Sequence, residues 1–328
     1  GLGGNANYTG KDVNGKIAFV ARGTYAFADK VKFAKQHGAA AVLMYNNEPG
    51  HIPAYLGENQ NFIPTFSLTQ EDGLKVKEQL TAGNKSFTFS NLTVTKTQGD
   101  TLADFSSRGP AKRTYDIKPE VTAPGVSVLS SVPAYIGNHD APTDYKYAYA
   151  RLSGTSMATP NAAGVAALLL QVNPTLQPED VKTIMMNTAD PLNGSYSVFE
   201  VGAGRVDPYQ AVHTGMKIQV QDTTLVPNAD VITTIKEKTG GIAFGTHHAG
   251  EDLSVTKKLK FQNLTDKVKN FNLNVQFQAV KGSLDAVANQ VQVKFHPTLT
   301  VDPASTESLH VTIEVPKAAA EGIYEGYL

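Results

Sequence analysis

The stretch Gly154-Thr155-Ser156-Met157-Ala158-Thr159-Pro160, continued by Asn161-Ala162-Ala163-Gly164, has the residue types of a nucleophile segment. Gly154 permits a tight turn before a helix. Ser156 then lies at or beside the helix N-terminus, where unpaired backbone N–H groups and the positive end of the helix dipole point outward. Such donors can hold the oxyanion that forms when a serine attacks a carbonyl. Pro160 suits a first turn, whose N–H groups have no helical acceptor. Ala162, Ala163 and Gly164 keep the helix slim enough to run through a packed core. An isolated Gly-x-Ser reads as an ordinary serine cap on a buried helix; this segment is longer and more specific. Serine chemistry also needs a base, and a group that orients the base.

The candidates for that base are eight histidines: His37, His51, His139, His213, His247, His248, His296 and His310. Only the first three precede Ser156. His139, in Gly-Asn-His-Asp-Ala-Pro with Asp140 beside it, is the one alternative base, although an exposed loop histidine is the plainer reading. The His247–His248 pair suggests a metal at first sight. Adjacent strand residues point to opposite faces, so the pair is expected to face solvent. No local carboxylate cluster marks a cation site; Glu120 is a candidate ligand by position alone.

The elements that must position Ser156 follow from periodicity. "KIAFVARG" (16–23) reads as a short strand, and Phe27, Val31 and Ala34 recur at helical spacing up to a stop at Gly38. "AAAVLMYN" (39–46) and "IPTFSLT" (63–69) read as further strands. Thr69 can cap a helix with Asp72 at the capping-box position, and Val76 and Leu80 are its expected inward face. "KSFTFSNLTV" (85–94) alternates as a strand. "VSVLSSV" (126–132) is strand-like and precedes a tyrosine-rich stretch. "VAALLLQV" (165–172) is apolar all round, which predicts a core helix. "QPEDVKTIMMNTA" (177–189) predicts a second helix with Pro178 in its first turn. Beyond residue 215, Phe271, Leu273, Val275 and Phe277 alternate strictly. So do Val291, Val293 and Phe295, and then Leu309, Val311, Ile313 and Val315, which predicts an antiparallel β-sandwich.

Totals bound the function. The 328 residues suffice for two or three domains, and 41% are hydrophobic. A net charge of −1 gives no electrostatic case for nucleic acid. No apolar run reaches the roughly 18–20 residues of a membrane span. With no cysteine, disulfides, thiolate metal sites and cysteine catalysis are excluded. "GLGGNANYTG" lacks the charge and apolar core of a signal peptide, and "EGIYEGYL" stops inside a strand-like run. Both ends read as cut, which suggests a piece of a longer protein. "N-x-S/T" sites such as Asn91-Leu92-Thr93 matter only in a glycosylating host.

The segment GTSMATP resembles the serine-bearing signature of the subtilisin-like serine proteases, the subtilases. "FSSRGP" (105–110) and "KPEVTAPGVSVLSS" (118–131) resemble the family segments that precede the serine. "GAGRVDPYQAV" (202–212) resembles one that follows it. Asn161 stands where many members have histidine. Residues 1–97 resemble a protease-associated insert, an α/β module. Residues 98–214 resemble the C-terminal part of the α/β subtilisin-like catalytic domain, and 215–328 a fibronectin-III-like β-sandwich. The whole is similar to a Gram-positive extracellular or cell-wall subtilase of the Vpr and C5a-peptidase type.

That resemblance implies a secreted serine endopeptidase that works through an acyl-enzyme on Ser156, which also gives the backbone oxyanion donor. Gly154, Thr155, Met157 and Pro160 support the motif. The family's triad aspartate and histidine, and its oxyanion asparagine, have no counterpart motif in this chain. Alone, the chain is therefore expected to be inactive, and to need the N-terminal half of the catalytic domain as partner. Calcium is common in the family and admissible in the whole enzyme. The alternative is a non-catalytic module that binds protein or cell-wall material. Self-processing, with the upstream half still bound, is a third reading.

Overall fold

The computed structural model describes residues 1–50, 52, 56, 61–90, 99–112, 114–138, 140–228 and 231–328. Contacts gather into two units, Gly1–Lys96 with Val126–Ser153, and Thr97–Gly125 with Gly154–Leu328.

In the first unit the apolar runs and helical spacing give β1 (Ile17–Ala21), α1 (Phe27–Gln36) and β2 (Ala41–Tyr45). β3 (Thr65–Leu68) and α2 (Gln70–Thr81) follow. The strands form one parallel sheet in the order β1-β2-β3, with Ile17 opposite Ala41 and Val42 opposite Thr65. Parallel neighbours need a crossover, and α1 supplies it between β1 and β2. Val31 and Ala34 of α1 are buried against Val20, Val42 and Met44. Gly38 stops the helix at a φ of 85°, a left-handed conformation that costs glycine little. Lys30, on the same helix, is also fully buried. Its ammonium donates to the carbonyls of Leu2, Ala21 (3.0 Å) and Gly23 (2.8 Å), and burial lowers its pKa.

Thr69 caps α2 as expected, accepting the Asp72 amide at 3.1 Å. The inward face differs from the expected one. Leu80 is exposed and Val76 only half-buried, whereas Gly73 is buried, and a Cβ there would lie 2.2 Å from Tyr45. The helix approaches the sheet too closely for a side chain, so a glycine rather than an apolar stripe makes the contact. Residues 85–90 form no strand. Phe89 instead packs on Phe66 at 4.2 Å between ring centroids and on Phe87 at 5.0 Å. The remainder of 85–94, with Asn91-Leu92-Thr93, lies outside the described residues. β4 (Val128–Ser131), α3 (Ala134–Gly137) and β5 (Tyr149–Leu152) complete the unit, with β4 and β5 antiparallel.

In the second unit, the Thr97–Gly125 segment is followed by α4 (Thr155–Val172), α5 (Pro178–Asn187), α6 (Val198–Val201) and α7 (Pro208–His213). Their core is Val165, Leu169, Val181, Ile184, Val206 and Ala211. Pro178 is the first residue of α5, where its missing N–H removes no helical bond. α4 departs from the expected core helix. Val165 and Leu169 are buried, but Leu168, Leu170 and Val172 are 45%, 42% and 64% exposed. Apolar residues on every side predict cover on every side, and α5 and α7 cover only one.

Strands follow: β6 (Met216–Asn228), β7 (Val231–Thr239), β8 (Leu253–Asn263), β9 (Lys269–Asn272) and β10 (Gln276–Gln278). Then come β11 (Gln292–Lys294), β12 (Thr298–Val301), β13 (Thr306–Val315) and β14 (Glu325–Tyr327). Five of them form an antiparallel sheet in the order β11-β13-β8-β6-β7. The predicted alternation holds: Leu309, Val311 and Ile313 are buried. Leu309 and Val311 share a core with Val220, Leu259 and Phe261, and the β9–β12 ribbon adds Phe271, Leu299 and Val301 to it. No helix among the described residues is long and apolar enough to cross a membrane.

Candidate active site

Ser156 is the second residue of α4 and is exposed. Gly154 before it is extended, with φ 159° and ψ 162°. The amides of Met157 and Ala158 both turn back to the Gly154 carbonyl, at 3.0 and 3.3 Å. The amides of Thr155 and Ser156 meet no acceptor among the described residues. An open N–H therefore stands beside the Ser156 hydroxyl, at the positive end of an 18-residue helix. Pro160 is the sixth helical residue, not part of the first turn as expected, because α4 starts immediately after Gly154. It cannot donate to the Ser156 carbonyl, so that carbonyl loses its helical partner.

Two hydrogen bonds fix the start of α4. The Gly154 amide donates to the Gly125 carbonyl at 2.8 Å, and Asn161 Nδ2 donates to the Pro124 carbonyl at 2.8 Å. Asn161, which in sequence is only a departure from the family pattern, is thus a clamp. A second bond from Nδ2 reaches the Met157 carbonyl at 3.0 Å. Gly125 makes the approach feasible, since a Cβ there would lie 2.9 Å from the Gly154 oxygen and 3.2 Å from Ala158 Cβ.

Segment 118–125 is held in turn by 202–206. The Ala203 amide donates to Glu120 O at 2.9 Å, Thr122 N to Gly204 O at 2.7 Å, and Val206 N to Thr122 O at 2.9 Å. Gly202 has a φ of 61°, and a Cβ there would sit 2.3 Å from the Glu120 oxygen. Arg205 spans Asp100 at 2.7 Å and Asp190 at 2.8 Å. From 105–110, Arg108 pairs with Glu200 at 2.9 Å, and the Gly109 amide donates to Phe199 O at 2.8 Å. Segments far apart in sequence thereby form one framework around the serine.

Among the described residues, no histidine hydrogen-bonds to Ser156. His37 stacks on Tyr8 and bonds Asn5 Oδ1 at 2.8 Å. His213 and His296 bond the carbonyls of Tyr209 and Thr298 at 2.8 and 2.7 Å. His310 is exposed on β13. His247 and His248 are exposed as expected, but in a loop rather than on a strand. His51 and His139 lie outside the described residues. No group of three His, Cys, Asp or Glu side chains able to hold a metal occurs among the described residues. Glu120 is already engaged by Lys118, and by Lys182 at 3.5 Å. Burial acts to raise its pKa, but the hydrogen bond and charge of Lys118, with the charge of Lys182, outweigh burial and lower it. Its carboxylate is a partner for lysines rather than a free cation ligand.

The profile of the subtilase family matches residues 32–204. The chain is 35% identical to the minor extracellular protease Vpr of Bacillus subtilis (strain 168), over 99% of this chain and 37% of that protein. It is 29% identical to the PII-type proteinase of Lacticaseibacillus paracasei, over 99% of this chain and 18% of that protein. It is 34% identical to the C5a peptidase of Streptococcus pyogenes serotype M1, over 65% of this chain and 18% of that protein. The chain therefore spans 37% or less of the length of each of these three relatives. With its family profile matched across the framework that holds Ser156, the chain belongs to the subtilases, of the Vpr and C5a-peptidase-like kind.

Proposed function

We propose that this chain is the serine-bearing part of a secreted or cell-wall serine endopeptidase acting on proteins or peptides. Ser156 Oγ attacks the scissile carbonyl, and the Ser156 N–H donates to the oxyanion. The base that takes the Ser156 proton returns it to the departing amine, and water then hydrolyses the remaining acyl-enzyme, which releases the acid and restores the Ser156 hydroxyl. The observation that carries this reading is the exposed hydroxyl beside an unaccepted amide at the start of a clamped helix. No imidazole meets that hydroxyl among the described residues, and a serine without a base stays protonated and weakly nucleophilic. The base, its orienting carboxylate and the second oxyanion donor then come from an upstream part of the catalytic domain, outside residues 1–328. The module order in this reading is a protease-associated insert over 1–97, catalytic segment over 98–214 and fibronectin-III-like sandwich over 215–328. The parallel sheet with its crossover helix and the antiparallel sheets with their shared core support the first and last of these.

A fluorophosphonate probe tests it, with adducts located by mass spectrometry. The folded chain alone is expected to stay unlabelled. Adding the upstream part of the catalytic domain is expected to give stoichiometric labelling at Ser156, lost in Ser156→Ala. No labelling with the upstream part present would leave a binding module as the better account. Labelling of the isolated chain would point to a base within it, with His139 the first residue to replace.

A further inference from the structure

We infer that Glu325 and Tyr327, on the strand β14, are positioning residues for the serine segment. This rests on the proposed role of Ser156. Glu325 is buried, and one carboxylate oxygen accepts the Ser197 hydroxyl at 2.7 Å and the Val198 amide at 2.8 Å. The Tyr327 hydroxyl donates to the Gly202 carbonyl at 3.0 Å. These contacts grip both ends of α6, a single turn of four residues that is too short to be stable alone. β14 is itself fixed by antiparallel pairing with β10. Gly326 lets the strands approach, since a Cβ there would lie 2.4 Å from the Gln276 oxygen.

From α6 the support continues without a gap. Gly202–Val206 bonds to Glu120 and Thr122, and Pro124 and Gly125, joined to Thr122 through Ala123, hold Asn161 and Gly154. The strand thus braces, through 202–206 and 120–125, the turn that sets the Ser156 amide and hydroxyl. A buried carboxylate on an amide and a hydroxyl is a strong anchor, and its removal leaves both donors unsatisfied.

The test is hydrogen exchange by mass spectrometry on the full 328-residue chain, comparing Glu325→Leu, Glu325→Gln and Tyr327→Phe. Glu325→Leu is expected to speed exchange of the amides in 154–161 by about tenfold while 255–261 of β8 is unmoved. Glu325→Gln keeps an acceptor oxygen and is expected to restore the slow exchange. Tyr327→Phe removes one bond only, and so remains readable if Glu325→Leu fails to fold. A smaller acceleration in both 200–206 and 154–161 is expected from it. Acceleration confined to 197–206 would overturn the inference, because Glu325 would then merely cap α6. Equal acceleration everywhere would overturn it too. With the upstream part added, the maximal fluorophosphonate labelling rate should fall in Glu325→Leu with little change in the half-saturating probe concentration. If the unsubstituted chain never labels even with the upstream part present, the role of Ser156 fails, while the exchange comparison still decides the brace.

Discussion

Gly125 carries no functional group, yet the geometry around Ser156 depends on it. Its carbonyl takes the Gly154 amide, and its missing side chain leaves room for Ala158. Gly125→Ala is expected to push the start of α4 outward. In the protein supplied with its upstream part, labelling at Ser156 should slow at least tenfold with the fold intact by circular dichroism, since small misplacements of a reacting group carry large rate penalties. Asn161→Ala removes the clamp on the Pro124 carbonyl and should act in the same direction, more weakly. Met157 is half-buried beside Ser156. Its thioether becomes polar and bulky as a sulfoxide. Peroxide treatment of the complete enzyme is expected to reduce turnover, and unchanged turnover after confirmed Met157 oxidation would refute this.

Short elements here are held by their neighbours rather than by their own propensity. α6 is pinned at both ends, and Gly202 after it occupies a left-handed conformation against the Glu120 carbonyl. Gly202→Ala adds backbone strain and a collision with main chain, so a loss of about 2–4 kcal/mol is expected, read as a shift in the urea midpoint. α5 meets β6 through Asp180, which accepts Lys217 at 2.7 Å, Gln219 at 3.0 Å and the Gln177 amide at 3.1 Å. Burial acts to raise the Asp180 pKa, but Lys217 and the Gln177 and Gln219 hydrogen bonds prevail and lower it. Because the folded value lies below the unfolded one, this contribution is present above the ordinary aspartate range. It is lost as pH falls through the depressed value. Asp180→Asn should flatten that acid limb and leave Lys217 poorly compensated.

Within the second unit, a cavity of about 60 Å³ between the 116–120 segment, α5 and the β6–β7 hairpin gathers Asp116, Glu120, Asp222 and Glu237 with Lys118 and Lys182. Burial raises the Glu237 pKa first, and the charges of Asp116 and Asp222 add to it, against Lys182 and Lys118. A folded value above the unfolded one means stability that is full below the ordinary glutamate range and lost as pH rises through the raised value. Glu237→Gln is therefore expected to unfold at higher urea than the parent at neutral pH and at similar urea near pH 4. The outer side of α4 has its own consequence. Leu168 and Val172, one turn apart, are exposed on one side of the helix, and Leu170 is exposed on another. Such a surface favours association. Sedimentation velocity is expected to show self-association of the chain, reduced when the upstream part of the catalytic domain is supplied.

Much of this protein was legible along the chain because the deciding forces act over a few residues. The period of Phe27, Val31 and Ala34, the Thr69–Asp72 cap, Pro178 at the head of α5 and the alternation of Leu309, Val311 and Ile313 all depend on near neighbours. The serine segment was legible for the same reason, as an unbroken run of residue types. What the run could not reveal was set by partners distant in sequence. Asn161 is a clamp because Pro124 lies beside it, and Glu325 an anchor because Ser197 does. Pro160 fell outside the first turn because the Gly125–Gly154 bond sets where α4 begins. An all-apolar helix stays partly open because cover depends on which surfaces meet it. Hydrogen bonds and packing across 37 or 128 residues leave no periodic trace in either partner, so only the folded chain displays them.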